Sequence, residues 1–324
     1  MEVCPGHTVS FDTSEHALLG RYLNCYIGYC TNERIRWQSA SGGVVTGLLL
    51  FMLNEGIIDG VLVTRMNKAS PLKPEPFIAR SKQEIIEAIG SKYIPVPANI
   101  RIKELIHENG RFVTVGLPCH VQGLRNADKK NRELNEKILL HFGLFCGHTP
   151  SFLGTKYLLN KYGIREDHVA KISYRGQGWP GYGSITLKSG RAINFSFKEW
   201  LCTGELPFFK PIRCMLCFDA TNRLSDISFG DAWKLSDDHR GMSLIISRSE
   251  LGEKILRDAE LKEEIVLQKV SPSDVIKSQN LNNQMNKFVA RSKTWKSVLR
   301  KNTPIYSTEL PRPRLFHAIC AISY

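Results

Sequence analysis

No stretch of this sequence is apolar for long enough to cross a bilayer. The longest such run, Val44 to Leu53, is interrupted by Thr46 and Gly47 and falls short of the roughly 20 residues a spanning helix needs. The opening Met1-Glu2-Val3-Cys4-Pro5 has neither the basic n-region nor the apolar h-region of a secretory leader. The expectation is a cytoplasmic protein with no transmembrane segment. Nine cysteines in a reducing compartment then point to metal or redox use rather than to structural disulfides. Internal repeats and low-complexity tracts are also missing, as are a C2H2 finger and an aromatic RNP-type strand, so no nucleic-acid partner is expected.

What is present is ample apolar content, 42% of 324 residues, and a net charge of +13. The basic excess is uneven. Residues 271–324 hold nine Lys or Arg against Asp274 and Glu309, a net +7. Such charge draws anionic partners by electrostatic steering without naming them.

Hydrophobic patterning divides the chain. Asp59–Arg65, Arg111–Gly116 and Lys137–Cys146 read as buried strands, each followed by a helical segment. Thr149 and Pro150 are the expected cap and first residue of a helix over Ser151–Tyr162. After Gly163 the character becomes β-richer: Val169–Tyr174, Ser184–Lys188, Ala192–Phe197, Asp226–Phe229 and Ser243–Ser247, with a turn at Ser189-Gly190. Helices follow at Ser249–Glu260 and, basic and amphipathic, at Met285–Lys301. The fold class expected is α/β (α+β): mixed sheet layers with flanking helices, an N-terminal α/β half and a β-richer C-terminal half. The expected divisions are 1–25, 26–163, 164–270 and a basic tail over 271–324.

Chemistry concentrates at the cysteines. Cys214 and Cys217 form a single C-x-x-C with no second pair at zinc-ribbon spacing. Cys119, in VGLPCHVQGLR, follows a strand at the start of a helix, where the helix N-terminus favours its thiolate. Cys146 ends the strand LHFGLFC, and Cys4 stands in a Cys-Pro pair. Cys119, Cys146, Cys214 and Cys217 together number what one 4Fe–4S cluster requires. Spacing alone leaves two alternatives open: Cys119 and Cys146 as small buried hydrophobes, and a structural zinc on Cys214, Cys217 and two other thiolates in a non-redox assembly or scaffold protein. Ser41-Gly42-Gly43 before the helical VVTGLLLFMLNEG offers backbone N–H groups to a phosphate. Gly90-Ser91-Lys92-Tyr93 puts a hydroxyl, an ammonium and an aromatic ring in one loop.

SASGGVVTGLLLFMLNEGIIDGVLV, GSKYIPVP, VGLPCHVQGLR, GLFCGHTPS, CMLC and DISFGDAW occur in this order. In this the chain resembles the beta subunits of coenzyme F420 hydrogenase and dehydrogenase, a family that includes plant 7-hydroxymethyl chlorophyll a reductase. The resemblance covers roughly residues 26–257. It implies an iron–sulfur flavoprotein oxidoreductase, with a 4Fe–4S cluster on Cys119, Cys146, Cys214 and Cys217. FAD would have its phosphates on Ser41, Gly42 and Gly43, and its flavin near Ser91, Lys92 and Tyr93. Asp231 and Trp233 would lie near the cluster. No G-x-G-x-x-G is expected to follow a strand, and the SGG turn opens its helix without that fingerprint, so FAD rather than NAD is expected. Coenzyme F420 is a candidate substrate as a small organic hydride donor or acceptor. Family members often carry an upstream ferredoxin-like cysteine run ending in Cys-Pro-Gly. Here Cys4-Pro5-Gly6 matches that ending alone, so a ferredoxin or ferredoxin-bearing redox subunit is the expected electron partner.

Overall fold

The computed structural model describes residues 3–11, 16–204, 206–297 and 303–306. The expected ends of the basic tail, with Arg300, Lys301, Arg312, Arg314 and Cys320, lie outside the described residues.

The chain lays down strands β1 (Thr8–Val9) and β2 (Asn24–Cys30), then helices α1 (Glu33–Gln38) and α2 (Val44–Asn54). Strands β3 (Gly60–Met66) and β4 (Pro74–Ala79), helices α3 (Lys82–Glu87) and α4 (Ile102–His107) and strand β5 (Phe112–Gly116) follow. Next come α5 (Pro118–Asp128), α6 (Arg132–Lys137), β6 (Ile138–Leu144) and α7 (Phe152–Lys161). Strands β7 (Val169–Ser173), β8 (Tyr182–Leu187) and β9 (Ala192–Ser196) lead to α8 (Phe197–Gly204) and α9 (Ile212–Met215). The chain then makes β10 (Ile227–Asp231), β11 (Ser243–Ser247), α10 (Glu250–Leu261) and β12 (Ile265–Lys269). Helices α11 (Pro272–Ser278) and α12 (Leu281–Ser297) and strand β13 (Ile305–Tyr306) are the last elements among the described residues.

Eight strands form one mixed sheet in the order β12-β2-β11-β10-β6-β5-β3-β4. Its centre, β10-β6-β5-β3, is parallel, and antiparallel strands extend both sides. Successive residues of a strand point to opposite faces, and both faces are covered. Tyr26 and Ile245 enter the core under α2 and α10, whereas Cys25, Ile27, Leu244 and Ile246 enter the one under α11 and α12. Val44, Leu48, Leu49, Phe51 and Met52 are buried along α2, each worth about 1.5–3 kcal/mol of burial.

The strands beyond Gly163 are shared between two sheets. Strands β7 to β9 form a separate antiparallel sheet, while β10, β11 and β12 return to the main one. That small sheet packs with α7 and α8 around Leu158, Ile172, Ile185, Phe195 and Trp200. The α7 boundary also differs from expectation: Ser151, not Thr149, is its N-cap. Strand β4 was not apparent in the sequence because Pro74 and Pro76 lie within it. It pairs only with β3, at the sheet edge where proline is tolerated.

Candidate functional site

A cavity of about 430 Å³ opens at the carboxyl ends of the parallel strands β5, β6 and β10, the end where open α/β sheets commonly bind ligands. One wall is the start of α2. Gly43 takes φ 76° as its N-cap, no side chain caps the helix, and Gly43, Val44, Val45 and Thr46 all line the cavity. The N–H groups and positive dipole end of an eleven-residue helix, left without a side-chain cap, thus border this open cavity. Ser41 also lines it, with its Oγ donating to the Met242 carbonyl at 2.8 Å. Gly42 is not among the lining residues. It is glycine because an added Cβ would lie 2.4 Å from the Gly28 oxygen and 2.6 Å from the Ser243 nitrogen, and its own N–H goes to Ser243 Oγ.

Ser91, Lys92 and Tyr93 also line the cavity. The Lys92 ammonium is turned to the end of α3, donating to the Ala88 and Gly90 carbonyls at 2.5 and 2.9 Å. Burial pushes its pKa down to about 7. Tyr93 packs against Trp200 and Tyr174.

Asp231 and Trp233 line the cavity too, around a residue the sequence reading missed. Arg175 pairs both ends of its guanidinium with Asp231 at 2.8 Å, donates Nε to the Pro180 carbonyl and lies over the Phe197 ring. Trp179 Nε1 donates to Asp231 at 2.9 Å, so the carboxylate is fully engaged. Burial works against the Arg175 charge, but Asp231 and Tyr93 more than offset it. Contrary to the expectation that no G-x-G-x-x-G follows a strand, the loop carrying this clasp, Gly176-Gln177-Gly178-Trp179-Pro180-Gly181, spells one just after β7. It leads into strand β8 rather than a helix, so it is no dinucleotide fingerprint. Its glycine density was the signal that could have drawn attention to Arg175. Gln279, read as part of the basic tail, donates to the Asp231 carbonyl at 2.8 Å and also lines the cavity.

The four cysteines come from three segments that are tied together. Gln122 on α5 donates to Asp219, two residues beyond Cys217, at 2.9 Å. Cys146 N–H donates to the Ala220 carbonyl at 2.9 Å, and Cys214 Sγ lies 4.0 Å from the Thr149 oxygen. Burial pushes the Cys146 thiol well up, and Cys119, Cys214 and Cys217 each add to the rise. Burial likewise lifts Cys217, to about 12, and lifts Cys119, with Cys214 adding and Arg213 opposing. The expected thiolate at the start of α5 is thus outweighed by burial, which favours the thiol unless a metal takes the proton's place. Among the described residues no three His, Cys, Asp or Glu side chains converge tightly enough to hold a metal ion. A single zinc gathers its sulfurs at about 2.3 Å around one centre, whereas a four-iron cluster takes one thiolate on each iron, and four cysteine thiols are a donor set that either could use. Cys146 belongs to both places: it lines the cavity.

His120, beside Cys119, was also missed. Its Nδ1 accepts from Leu117 N–H at 3.1 Å, and burial pushes it down to about 4, keeping it neutral. Of the remaining described cysteines, Cys25 and Cys30 are buried in the sheet, and Cys4 and Cys202 are exposed. No helix among the described residues is long and apolar enough to cross a membrane.

Comparison with known proteins places the chain in a family and agrees with its fold. Residues 25–102 match the family described as coenzyme F420 hydrogenase/dehydrogenase, beta subunit N-term, and residues 109–273 match the family described for the C terminus of the same beta subunit. The chain is 28% identical over 257 residues to the coenzyme F420 hydrogenase subunit beta of Methanothermobacter thermautotrophicus, covering 75% of this chain and 83% of that protein. It is 28% identical to the coenzyme F420-dependent sulfite reductase of Methanocaldococcus jannaschii, covering 83% of this chain but 42% of that longer protein. In fold it is similar to a chain of the F420-reducing NiFe hydrogenase complex from Methanosarcina barkeri. The TM-score is 0.71 at 22% identity, covering 92% of this chain and 99% of that one. The chain belongs to the coenzyme F420 hydrogenase/dehydrogenase beta subunit family, a family of oxidoreductases.

Proposed function

We propose that the chain is an iron–sulfur flavoprotein that passes electrons between a 4Fe–4S cluster on Cys119, Cys146, Cys214 and Cys217 and FAD in the adjoining cavity. Coenzyme F420, or an organic molecule of like hydride chemistry, is the substrate. The observation that carries this reading is the position of Cys146, which lines the cavity while sharing its buried surroundings with the other three thiols. Flavin supplies the exchange between one-electron and two-electron chemistry that such a pairing needs. The α2 N-terminus and Ser41 would hold its phosphates. Arg175, clamped by Asp231, would fix the wall carrying Tyr93 and Trp233, and the small sheet with α8 would keep water from that side.

Anaerobically purified protein should show flavin bands, a broad brown shoulder and about four irons per FAD. Alanine at Cys119, Cys146, Cys214 or Cys217 should remove iron, whereas Cys25→Ala and Cys202→Ala should not. Full iron retention in Cys119→Ala, or a colourless zinc-loaded protein, overturns the reading.

A further inference from the structure

The C-x-x-C motif is tied from outside through one side chain. Arg213, the residue before Cys214, gives Nη1 to the Tyr306 hydroxyl at 3.2 Å. That hydroxyl donates in turn to the carbonyl of Leu216, the residue before Cys217, at 2.9 Å. Arg213 Nη2 reaches the other way, donating to the Pro5 carbonyl at 2.8 Å. The Cys4-Pro5-Gly6 segment, whose sulfur takes no part in the proposed cluster, thus anchors one end of the guanidinium. It lies so close that a Cβ on Gly6 would stand 3.7 Å from Arg213 Nε. Tyr306 is itself fixed, its ring edge-on to Phe218 at 4.7 Å and to Phe288 at 5.6 Å. Its strand, β13, pairs in parallel with β1, with Tyr306 opposite Val9. Three segments far apart in sequence therefore meet at one half-buried guanidinium.

A guanidinium keeps its proton at any pH the fold survives, so what is held here is a fixed positive charge. Its field reaches thiols on two separate segments. Arg213 opposes the burial-driven rise of Cys119 and of Cys217 by favouring their charged forms. Asp219 works against it at Cys217, but that carboxylate is engaged by the Gln122 amide and the Arg223 N–H. Arg213 does not line the cavity. From this geometry we infer that Arg213, held by Pro5 and Tyr306, raises the reduction potential of the cluster on the four cysteines. The inference rests on the function proposed above and adds to it the residue that tunes one of its two redox centres. Each electron added to a thiolate-ligated cluster makes it more negative, and burial away from water opposes that charge and keeps the potential low. A cation outside the ligands stabilises the reduced form more than the oxidised one, and does so more strongly in a low dielectric. The two backbone carbonyls and the hydroxyl hold that cation in place without neutralising it.

The test is a redox titration of the full chain loaded with flavin and iron, with the cluster followed by electron paramagnetic resonance and the flavin by its visible bands. Arg213→Gln removes the charge but can still donate to the Pro5 carbonyl. It should lower the cluster's one-electron reduction equilibrium at least tenfold, a midpoint lower by about 59 mV. Arg213→Lys keeps the charge and should lower the equilibrium less than threefold. Tyr306→Phe leaves the cation but frees one end of it, and its midpoint should fall between wild type and Arg213→Gln. The flavin equilibrium should move less than twofold in all three. Equal shifts in Arg213→Gln and Arg213→Lys, a Gln variant within twofold of wild type, or a flavin midpoint that moves as far as the cluster's overturns the inference. Where Arg213→Gln retains no iron, Tyr306→Phe decides: a lowered midpoint with full iron sustains the inference, and an unchanged midpoint or loss of iron there as well overturns it. Wild-type protein that binds no iron overturns the cofactor reading itself, a failure visible before any variant is made.

Discussion

The two ends of the site are made of different material. The α2 end is backbone: a turn of glycines and an uncapped helix start, in which the side chains contribute little beyond the Ser41 hydroxyl. The thiol end is side chain: four sulfurs from segments far apart in sequence, aligned by Gln122, Asp219 and the Cys146 N–H. A backbone site is inseparable from the fold that shapes it, whereas a side-chain site can be emptied while the fold stands. Substitutions at the two ends should therefore couple stability and cofactor content differently.

The sharpest break of that contrast is Gly42→Ala. Its methyl would meet two backbone atoms, at 2.4 and 2.6 Å, that belong to β2 and β11 and cannot step aside. Overpacking against fixed backbone should cost about 3 kcal/mol or more, so a lower midpoint in thermal unfolding and loss of flavin should appear together. Cys146→Ala should lose iron with a far smaller change in Tm. If Gly42→Ala kept its melting point and lost only flavin, the distinction between the ends would fail.

Legibility in the sequence followed the same divide. Thiol chemistry is carried by one residue type, so GLPC, LFC and CMLC could be picked out and placed. The SGG turn was legible as a helix start, but not that Gly42 serves strand packing while Gly43 and the first turn of α2 face the cavity. That depends on how closely β2 and β11 approach, which no local pattern records. The parallel strands β3, β5, β6 and β10 were legible as apolar runs. The return of β10 to β12 into the main sheet was not, because pairing between distant strands leaves no trace in either strand alone. Arg175 and Gln279 were missed for a related reason. Each is an ordinary polar residue whose importance comes from a partner dozens of residues away, Asp231.

That clasp joins the small sheet to the main one, and a second prediction tests it. Arg175→Met would leave the partly buried Asp231 carboxylate without its cation and with only the Trp179 N–H, at a cost of up to about 3 kcal/mol, where the cost of breaking a fully buried pair begins. Adding Asp231→Asn removes the orphaned charge, so the double variant should be less destabilised than the sum of the singles in urea titrations. Strict additivity would mean that the 2.8 Å contacts contribute nothing as a pair.

A smaller effect belongs to Lys92 and depends on pH. Its pKa is about 7 when folded, against 10.5 for an ordinary lysine. Between those values the unfolded chain binds more protons at this position than the folded one, so stability rises with pH across the window. Below pH 7 both states are protonated and the full burial penalty applies. Lys92→Met has no such dependence. Denaturation at pH 6, 8 and 9.5 should show wild type gaining on the variant as pH rises, and a constant difference would contradict the burial argument.

The smallest expected effect is none, and it bears on where the thiol end stops. In two-cluster ferredoxins the cysteine before proline serves the cluster other than that of its neighbours in the run, which makes Cys4 the natural candidate for a fifth ligand. The structure places it near the site: a Cβ on Gly6 would lie 3.3 Å from the Cys4 sulfur and 3.7 Å from Arg213 Nε, and Arg213 precedes Cys214. Yet Cys4 is exposed, and the thiols that burial and mutual influence set apart, to which the cluster is proposed to bind, are Cys119, Cys146 and Cys217 with Cys214 beside them. Arg213 stands on that side as a cation, giving Nη2 to the Pro5 carbonyl and Nη1 to the Tyr306 hydroxyl. Those two bonds hold the Cys4 segment by its backbone, without using the sulfur. Cys4→Ser should therefore leave iron per flavin and the visible spectrum unchanged. A halved iron content would move the boundary of the thiol end outward to include the N-terminal segment, and the four-ligand assignment would have to be redrawn around it.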